Sequence, residues 1–94
     1  MTTLDQVAGV IIKEQALVIG PLAWKEAGKV PGLTINTQNN DVTVSGADPK
    51  VVIDNLVRQY ERLFGLASHE LCREAAANII RGLAKEEIPL SLQT

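Results

Sequence analysis

The sequence predicts an α+β, mainly helical fold in a single small domain that covers residues 1–94. Three patterns support this class: helical spacing of apolar residues around a Gly20-Pro21 step, apolar/polar alternation in a short central stretch, and two later amphipathic stripes. The predicted elements are a kinked N-terminal helix over 1–28, a β-hairpin over 33–45, helices over 48–64 and 68–87, and a loose tail over 90–94.

The first helix has an apolar surface that is wider than one stripe. Lys13 and Glu14 mark its solvent side, and apolar residues occupy the flanks as well as the central stripe. Pro21 cannot donate a hydrogen bond to the carbonyl of Leu17, so the helix either kinks there or stops and restarts with Pro21 at its first position. We expect Gly28 to end the element in a left-handed conformation. Such a helix needs neighbours on more than one side.

The alternating stretch predicts a hairpin whose register follows from its side-chain faces. If its four apolar residues share one face, each must lie opposite another apolar residue. The predicted pairs are Leu33 with Val44, Ile35 with Val42, and Asn36 with Asp41, which leaves 37–40 as a four-residue turn. A two-stranded ribbon is marginally stable alone, so it must pack on helices or on a second copy's ribbon.

The two later helices have their own start and stop signals. Asp48 followed by Pro49 is an N-cap with proline at the first helical position. Asp54 and Arg58 lie four residues apart on the polar side of this helix, and Gly65 ends it. For the last helix the predicted signals are an N-cap at Ser68, an acidic first turn at Glu70, and closure at Ile88-Pro89.

Composition narrows the function classes. The net charge is −2 and only three residues are aromatic, so the chain has no basic surface to attract polyanions and few stacking platforms. No basic segment of a secretory signal is present, and the single cysteine excludes an intramolecular disulfide. The longest apolar run, from Ala16 to Trp24, is well short of the roughly 20 residues that span a bilayer. We therefore expect a cytoplasmic protein that binds neither nucleic acid nor membrane.

The most reactive-looking pair is His69 and Cys72, three residues apart on one predicted helix. Two functional interpretations are a thiolate–imidazole pair and two metal ligands. The structural interpretation is favoured, because Cys72 falls on the apolar stripe, His69 falls in an exposed first turn, and the chain has no other His or Cys. We predict a protein that is not an enzyme and that holds neither a metal nor a cofactor.

Two binding functions compete with a protein–protein role. A ribbon-helix-helix DNA-binding protein shares the order strand, helix, helix, but the outward hairpin residues include no Arg or Lys to anchor phosphates. A small-ligand or sensory domain would place an apolar pocket between the kinked helix and the hairpin, lined by Leu22 and Trp24. Few polar anchors lie near those two residues.

The preferred interpretation is a protein–protein interaction or regulatory module that forms a homodimer and can also bind another protein. A chain this short cannot cover every apolar side of its first helix, so a second copy or a different protein should cover the remainder. Tryptophan is also enriched at interfaces, although a core position at the kink is its commoner role. The predicted interface residues are Ile12, Leu17, Val18, Pro21 and Trp24.

The segment Val18-Ile-Gly-Pro-Leu-Ala23 resembles the "IGP(I/L)A" helical signature of small modules attached to some bacterial signalling proteins, including kinases and partners of small GTPases. The resemblance covers residues 18–23. Beyond it those modules continue with an aliphatic helix, where this chain has Trp24-Lys25-Glu26. It implies a regulatory or scaffolding role and assigns no catalytic residue.

Overall fold

A computed structural model describes residues 3–36, 38–39, 41–46 and 48–93, and it confirms the mainly helical α+β class. Its helices are α1 (Thr3–Ile19), α2 (Leu22–Ala27), α3 (Pro49–Phe64) and α4 (Leu66–Ile80), and its strands are β1 (Leu33–Asn36) and β2 (Asp41–Val44). Two 3-10 turns follow at Lys85–Glu87 and Leu90–Leu92. Helix α1 packs against α4 and contacts α3, and it also packs on β2.

The first predicted helix stops and restarts. Gly20 adopts φ +70°, which ends α1, and Pro21 precedes α2 with a helical φ of −58°. The prediction that Gly28 is left-handed is wrong, because Gly28 has φ −63° and its amide bonds to the carbonyl of Trp24. The chain continues through helical turns to Val30 and reverses only at Gly32, where φ is +85°.

The hairpin has the predicted register, with Leu33 opposite Val44, Ile35 opposite Val42 and Asn36 opposite Asp41. Thr37 and Asn40 of the predicted turn lie outside the described residues. The Asp5 carboxylate of α1 accepts a 2.7 Å hydrogen bond from the amide of Val44. One copy's helices therefore support its ribbon, as the first of the two packing alternatives requires.

The start of α3 is capped as predicted, and α4 differs at both ends. The Asp48 side chain accepts a 3.1 Å bond from the amide of Lys50. After Gly65, with φ +87°, α4 begins at once, so Ser68 lies buried inside the helix rather than at its N-cap. The helix ends at Ile80 instead of residue 87, because the chain tightens into a turn at Gly82, whose amide bonds to the carbonyl of Ile79.

The C-terminal residues are packed rather than loose, which corrects the predicted tail. We call residues 88–93 the C-terminal strap. Leu92 and Pro89 are almost fully buried, and the turn that carries Leu92 packs on both α3 and α4. The Asp54 carboxylate accepts bonds from the amide of Ser91 at 2.9 Å and from its hydroxyl at 2.6 Å. Asp54 was predicted to lie on the polar side of this helix, but it is buried and its carboxylate bonds to the strap.

Aliphatic residues from helices, hairpin and strap meet in one hydrophobic cluster, with Tyr60 as its one fully buried aromatic residue. The Tyr60 hydroxyl donates a 2.7 Å bond to the carbonyl of Ala23, which ties α2 to α3. Gln15 is also fully buried, and its amide donates to the carbonyl of Ser68 at 3.0 Å and contacts the Cys72 sulfur at 3.4 Å. Buried polar groups with partners fix how α1 lies against its neighbours.

Candidate interaction surfaces

The break between α1 and α2 creates an exposed apolar corner. Leu17 is 80% exposed and Val18 is 70% exposed, on consecutive positions in the last turns of α1. Across the break, Pro21 is exposed and Leu22 is 40% exposed. We call these four residues the helix-break corner. Single exposed aliphatic residues are common on protein surfaces, whereas several within six positions of one chain break make that break a candidate contact site.

Ile12 does not belong to this surface. Its side chain has no exposed area and lies in the hydrophobic cluster, so the prediction that it contacts another chain is wrong. The other apolar faces of α1 are covered largely by α4, α3 and β2 of the same chain. Among the described residues of α1, the large apolar side chains that stay exposed are Leu17 and Val18, in its last turns.

Trp24 is half-buried and packs against the hydrophobic cluster. Its outer side lines a shallow depression of about 460 Å³ between α2 and β1. The depression is bordered by Trp24, Lys25, Gly28, Leu33, Thr34 and Ile35. A depression therefore lies where a ligand pocket was predicted, between the first helical segment and the hairpin, but Leu22 does not line it. Whether it binds a ligand stays a prediction.

A larger and more polar groove of about 840 Å³ runs along α3, which we call the α3 groove. The linker residues Lys29, Val30 and Pro31 border it, and so do His69 and the strap residues Leu90 and Ser91. Along α3 it is lined by Asp54, Asn55, Val57, Arg58, Gln59, Glu61 and Arg62. Charged residues of both signs mix here, which distinguishes this surface from the apolar helix-break corner.

A chain of polar contacts links α2 to α3 at one side of the groove. Glu26 accepts from Lys29 at 3.0 Å and from Gln59 at 2.8 Å, and Gln59 in turn accepts from Arg62 at 2.6 Å. The hydrogen bonds from Lys29 and then Gln59 lower the pKa of the Glu26 carboxyl. Glu26 is therefore an ionised carboxylate with a structural role, since its bond to Gln59 links α2 to α3.

His69 and Cys72 do not act together. Cys72 is buried, and desolvation raises the pKa of its thiol to about 11, so the thiolate is scarce at neutral pH. His69 is partly buried rather than exposed, and its ring contacts the carboxylate of Glu61 and the carbonyl of Ser91, both at 2.6 Å. Local spacing could not reveal these partners, because Ser91 lies 22 residues away.

Among the residues that the structure describes, no group of three or more His, Cys, Asp or Glu side chains is arranged to hold a metal ion. No helix in the described ranges is long and apolar enough to cross a membrane. Comparisons with protein-family models, with curated proteins and with solved structures find no match to this chain.

Proposed function

We propose that this chain is a non-enzymatic protein–protein interaction module that self-associates through the helix-break corner. The observation that carries the proposal is the exposure of Leu17 and Val18, two large aliphatic side chains on adjacent helical positions. Pro21 and Leu22 extend the same surface across the break. Pro21 also has no amide hydrogen to leave unpaired if a partner covers it.

Because the corner is small, we expect the proposed dimer to be weak and reversible. Burying two aliphatic side chains contributes about 1.5–3 kcal/mol each, and a two-fold contact buries each of them twice, for about 6–12 kcal/mol in total. Association costs about 4–15 kcal/mol in lost translational, rotational and side-chain freedom. The two ranges overlap, so we expect a dimer that dissociates at micromolar to millimolar concentrations.

The regulatory part of the proposal rests on the sequence of the corner. Residues 18–23, which resemble the "IGP(I/L)A" signature of bacterial signalling modules, contain both the break and three of the four corner residues. We place the protein in the cytoplasm, since its single cysteine is a buried free thiol and needs no oxidising compartment. Another protein with an apolar surface can use the same corner in place of a second copy.

The test compares two charged substitutions at equally exposed leucines. Leu17→Asp places a carboxylate in the corner, whereas Leu90→Asp places one on the strap, where the native leucine is 76% exposed. Molar mass is measured by light scattering over a dilution series from about 1 mM to about 10 µM, the range expected for such an interface. Circular dichroism and Trp24 emission verify that both variants are folded.

We expect the native chain and Leu90→Asp to approach twice the monomer mass of 10.1 kDa at high concentration. Leu17→Asp should stay monomeric, because association would desolvate its carboxylate without a partner charge. Equal association of both variants would rule out the corner as the interface. A native chain that remains monomeric at every concentration would rule out self-association.

A further inference from the structure

The C-terminal strap is held on the α3–α4 pair by two kinds of contact. Leu92 and Pro89 supply buried apolar area. Ser91 supplies the polar anchor: its amide and hydroxyl donate to Asp54 of α3, and its carbonyl faces His69 Nε2 of α4 at 2.6 Å. Ser91 therefore has hydrogen-bonding partners on both α3 and α4.

The His69 ring lies between two hydrogen-bond acceptors. Its Nδ1 is 2.6 Å from Glu61 Oε2, and its Nε2 is 2.6 Å from the Ser91 carbonyl oxygen. A carbonyl oxygen and an ionised carboxylate only accept hydrogen bonds, and a neutral imidazole has one N–H. With Glu61 ionised, both contacts can be hydrogen bonds only when both ring nitrogens carry a proton, which makes the ring an imidazolium ion.

The charged surroundings of the ring are mixed. Glu61 of α3 contacts the ring, and Asp54, which holds Ser91, borders the same groove as Arg58, Arg62 and Lys29. On α4 itself, Arg73 lies one turn further along and pairs with Glu70 at 3.2 Å. The strap residues 88–93 bring no charged side chain. Among the described residues, Glu61 is the carboxylate whose contact with the ring is a hydrogen bond or ion pair.

We propose that His69 is a proton-controlled clasp that holds the C-terminal strap closed when its ring is charged and loosens it when the ring is neutral. On deprotonation the remaining N–H stays on Nδ1, where it donates to the Glu61 carboxylate. Nε2 then presents a lone pair to the Ser91 carbonyl, and two acceptors face each other at hydrogen-bonding distance. The hydrogen bond to the strap is therefore present when the ring is charged and is lost when the ring is neutral.

Loosening the strap changes the surface of the protein. Ser91 and Leu90 border the α3 groove, and the turn that contains Leu92 covers part of both α3 and α4. Release therefore widens the groove and uncovers apolar surface that the strap otherwise buries. This surface shares no residue with the helix-break corner. Failure of the clasp proposal would therefore leave the proposed self-association unaffected, and the reverse also holds.

His69 is the sole histidine of the chain, so every imidazole signal in an NMR spectrum belongs to it. Ring nitrogen chemical shifts measured by NMR in ¹⁵N-labelled protein report the proton on each nitrogen between about pH 5.5 and about pH 8.5, where imidazoles titrate. Amide hydrogen exchange over the same range, corrected for the intrinsic pH dependence, reports opening of the strap. The amides of Ser91, Leu92 and Gln93 are the probes, and those of Leu56 and Val57 in α3 are the internal reference.

We expect both ring nitrogens to be protonated at the acidic end and one at the alkaline end. Protection of the three strap amides should fall at least tenfold across the same titration, while Leu56 and Val57 change little. In His69→Gln, whose side chain cannot titrate, strap protection should be independent of pH.

Three results would overturn the proposal. Strap protection that stays constant while the ring titrates would show that the ring does not hold the strap. A ring that stays in one protonation state from about pH 5.5 to about pH 8.5 would show that it is not a switch in this range. A pH-dependent loss of strap protection that persists in His69→Gln would assign the effect to another group.

Discussion

Tyr60→Phe tests how α2 is fixed to the rest of the fold. A helix of six residues is too short to be stable alone, so α2 depends on its tertiary contacts. Tyr60 and Ala23 both have no exposed area, and the hydroxyl-to-carbonyl distance of 2.7 Å is that of a well-formed bond. Burial also raises the pKa of Tyr60, so the hydroxyl remains a donor throughout the accessible pH range.

Removing this hydroxyl should lower the free energy of unfolding by about 1 kcal/mol, the usual net value for a buried neutral hydrogen bond. In a chain of this size that corresponds to a decrease in Tm of about 4–8 °C. Thermal unfolding is followed by circular dichroism and by the emission of Trp24, which lies in α2 itself. A change in Tm of less than about 1 °C would refute the view that this bond secures α2.

Three further predictions concern single residues. Glu26→Gln should lower the free energy of unfolding at neutral pH, as measured by urea unfolding. Because the native pKa of Glu26 is lowered, the difference in free energy of unfolding between variant and native chain should narrow as the pH falls from about 6 to about 3. Gly32→Ala should lower the free energy of unfolding by about 1–3 kcal/mol, since φ is +85° and a Cβ would lie 2.7 Å from the Ser45 carbonyl oxygen. Gly28→Ala, at a helical φ, is the control and should be neutral or stabilising in the same assay. Iodoacetamide should modify Cys72 on the order of 100-fold more slowly in the folded protein than in urea, because the thiol is buried and its pKa is raised; equal rates by mass spectrometry would contradict this.

Features set by neighbouring residues could be predicted from the sequence. The hairpin register follows from the alternation of four apolar residues, because a slip of one position would expose all of them. The Asp48 cap and the break at Gly20-Pro21 depend on backbone chemistry within a few residues, so their signals are local. The position of the helix-break corner follows from the same break.

Features set by distant residues could not be predicted. The packing position of the strap depends on the hydrogen bonds between Ser91 and Asp54, which lies 37 residues earlier. No periodicity in the sequence predicts a contact over that separation. Ile12 was misassigned because α1 is apolar on several faces, and the sequence does not specify which of them the other helices cover. The early end of α4 was missed because the apolar spacing continues past Ile80, and Gly82 was the signal that could have marked it.

Contact between the corners of two copies is tested most directly by mixing isotope-labelled and unlabelled protein at about 1 mM, where a weak dimer is populated. Isotope-filtered nuclear Overhauser spectra then detect only protons that are close across an intermolecular contact. We predict cross-peaks from the methyl groups of Leu17, Val18 and Leu22, and none from the methyl groups of Leu90. Intermolecular cross-peaks that come from other surfaces, or none in a sample shown to be monomeric, would contradict self-association through the helix-break corner.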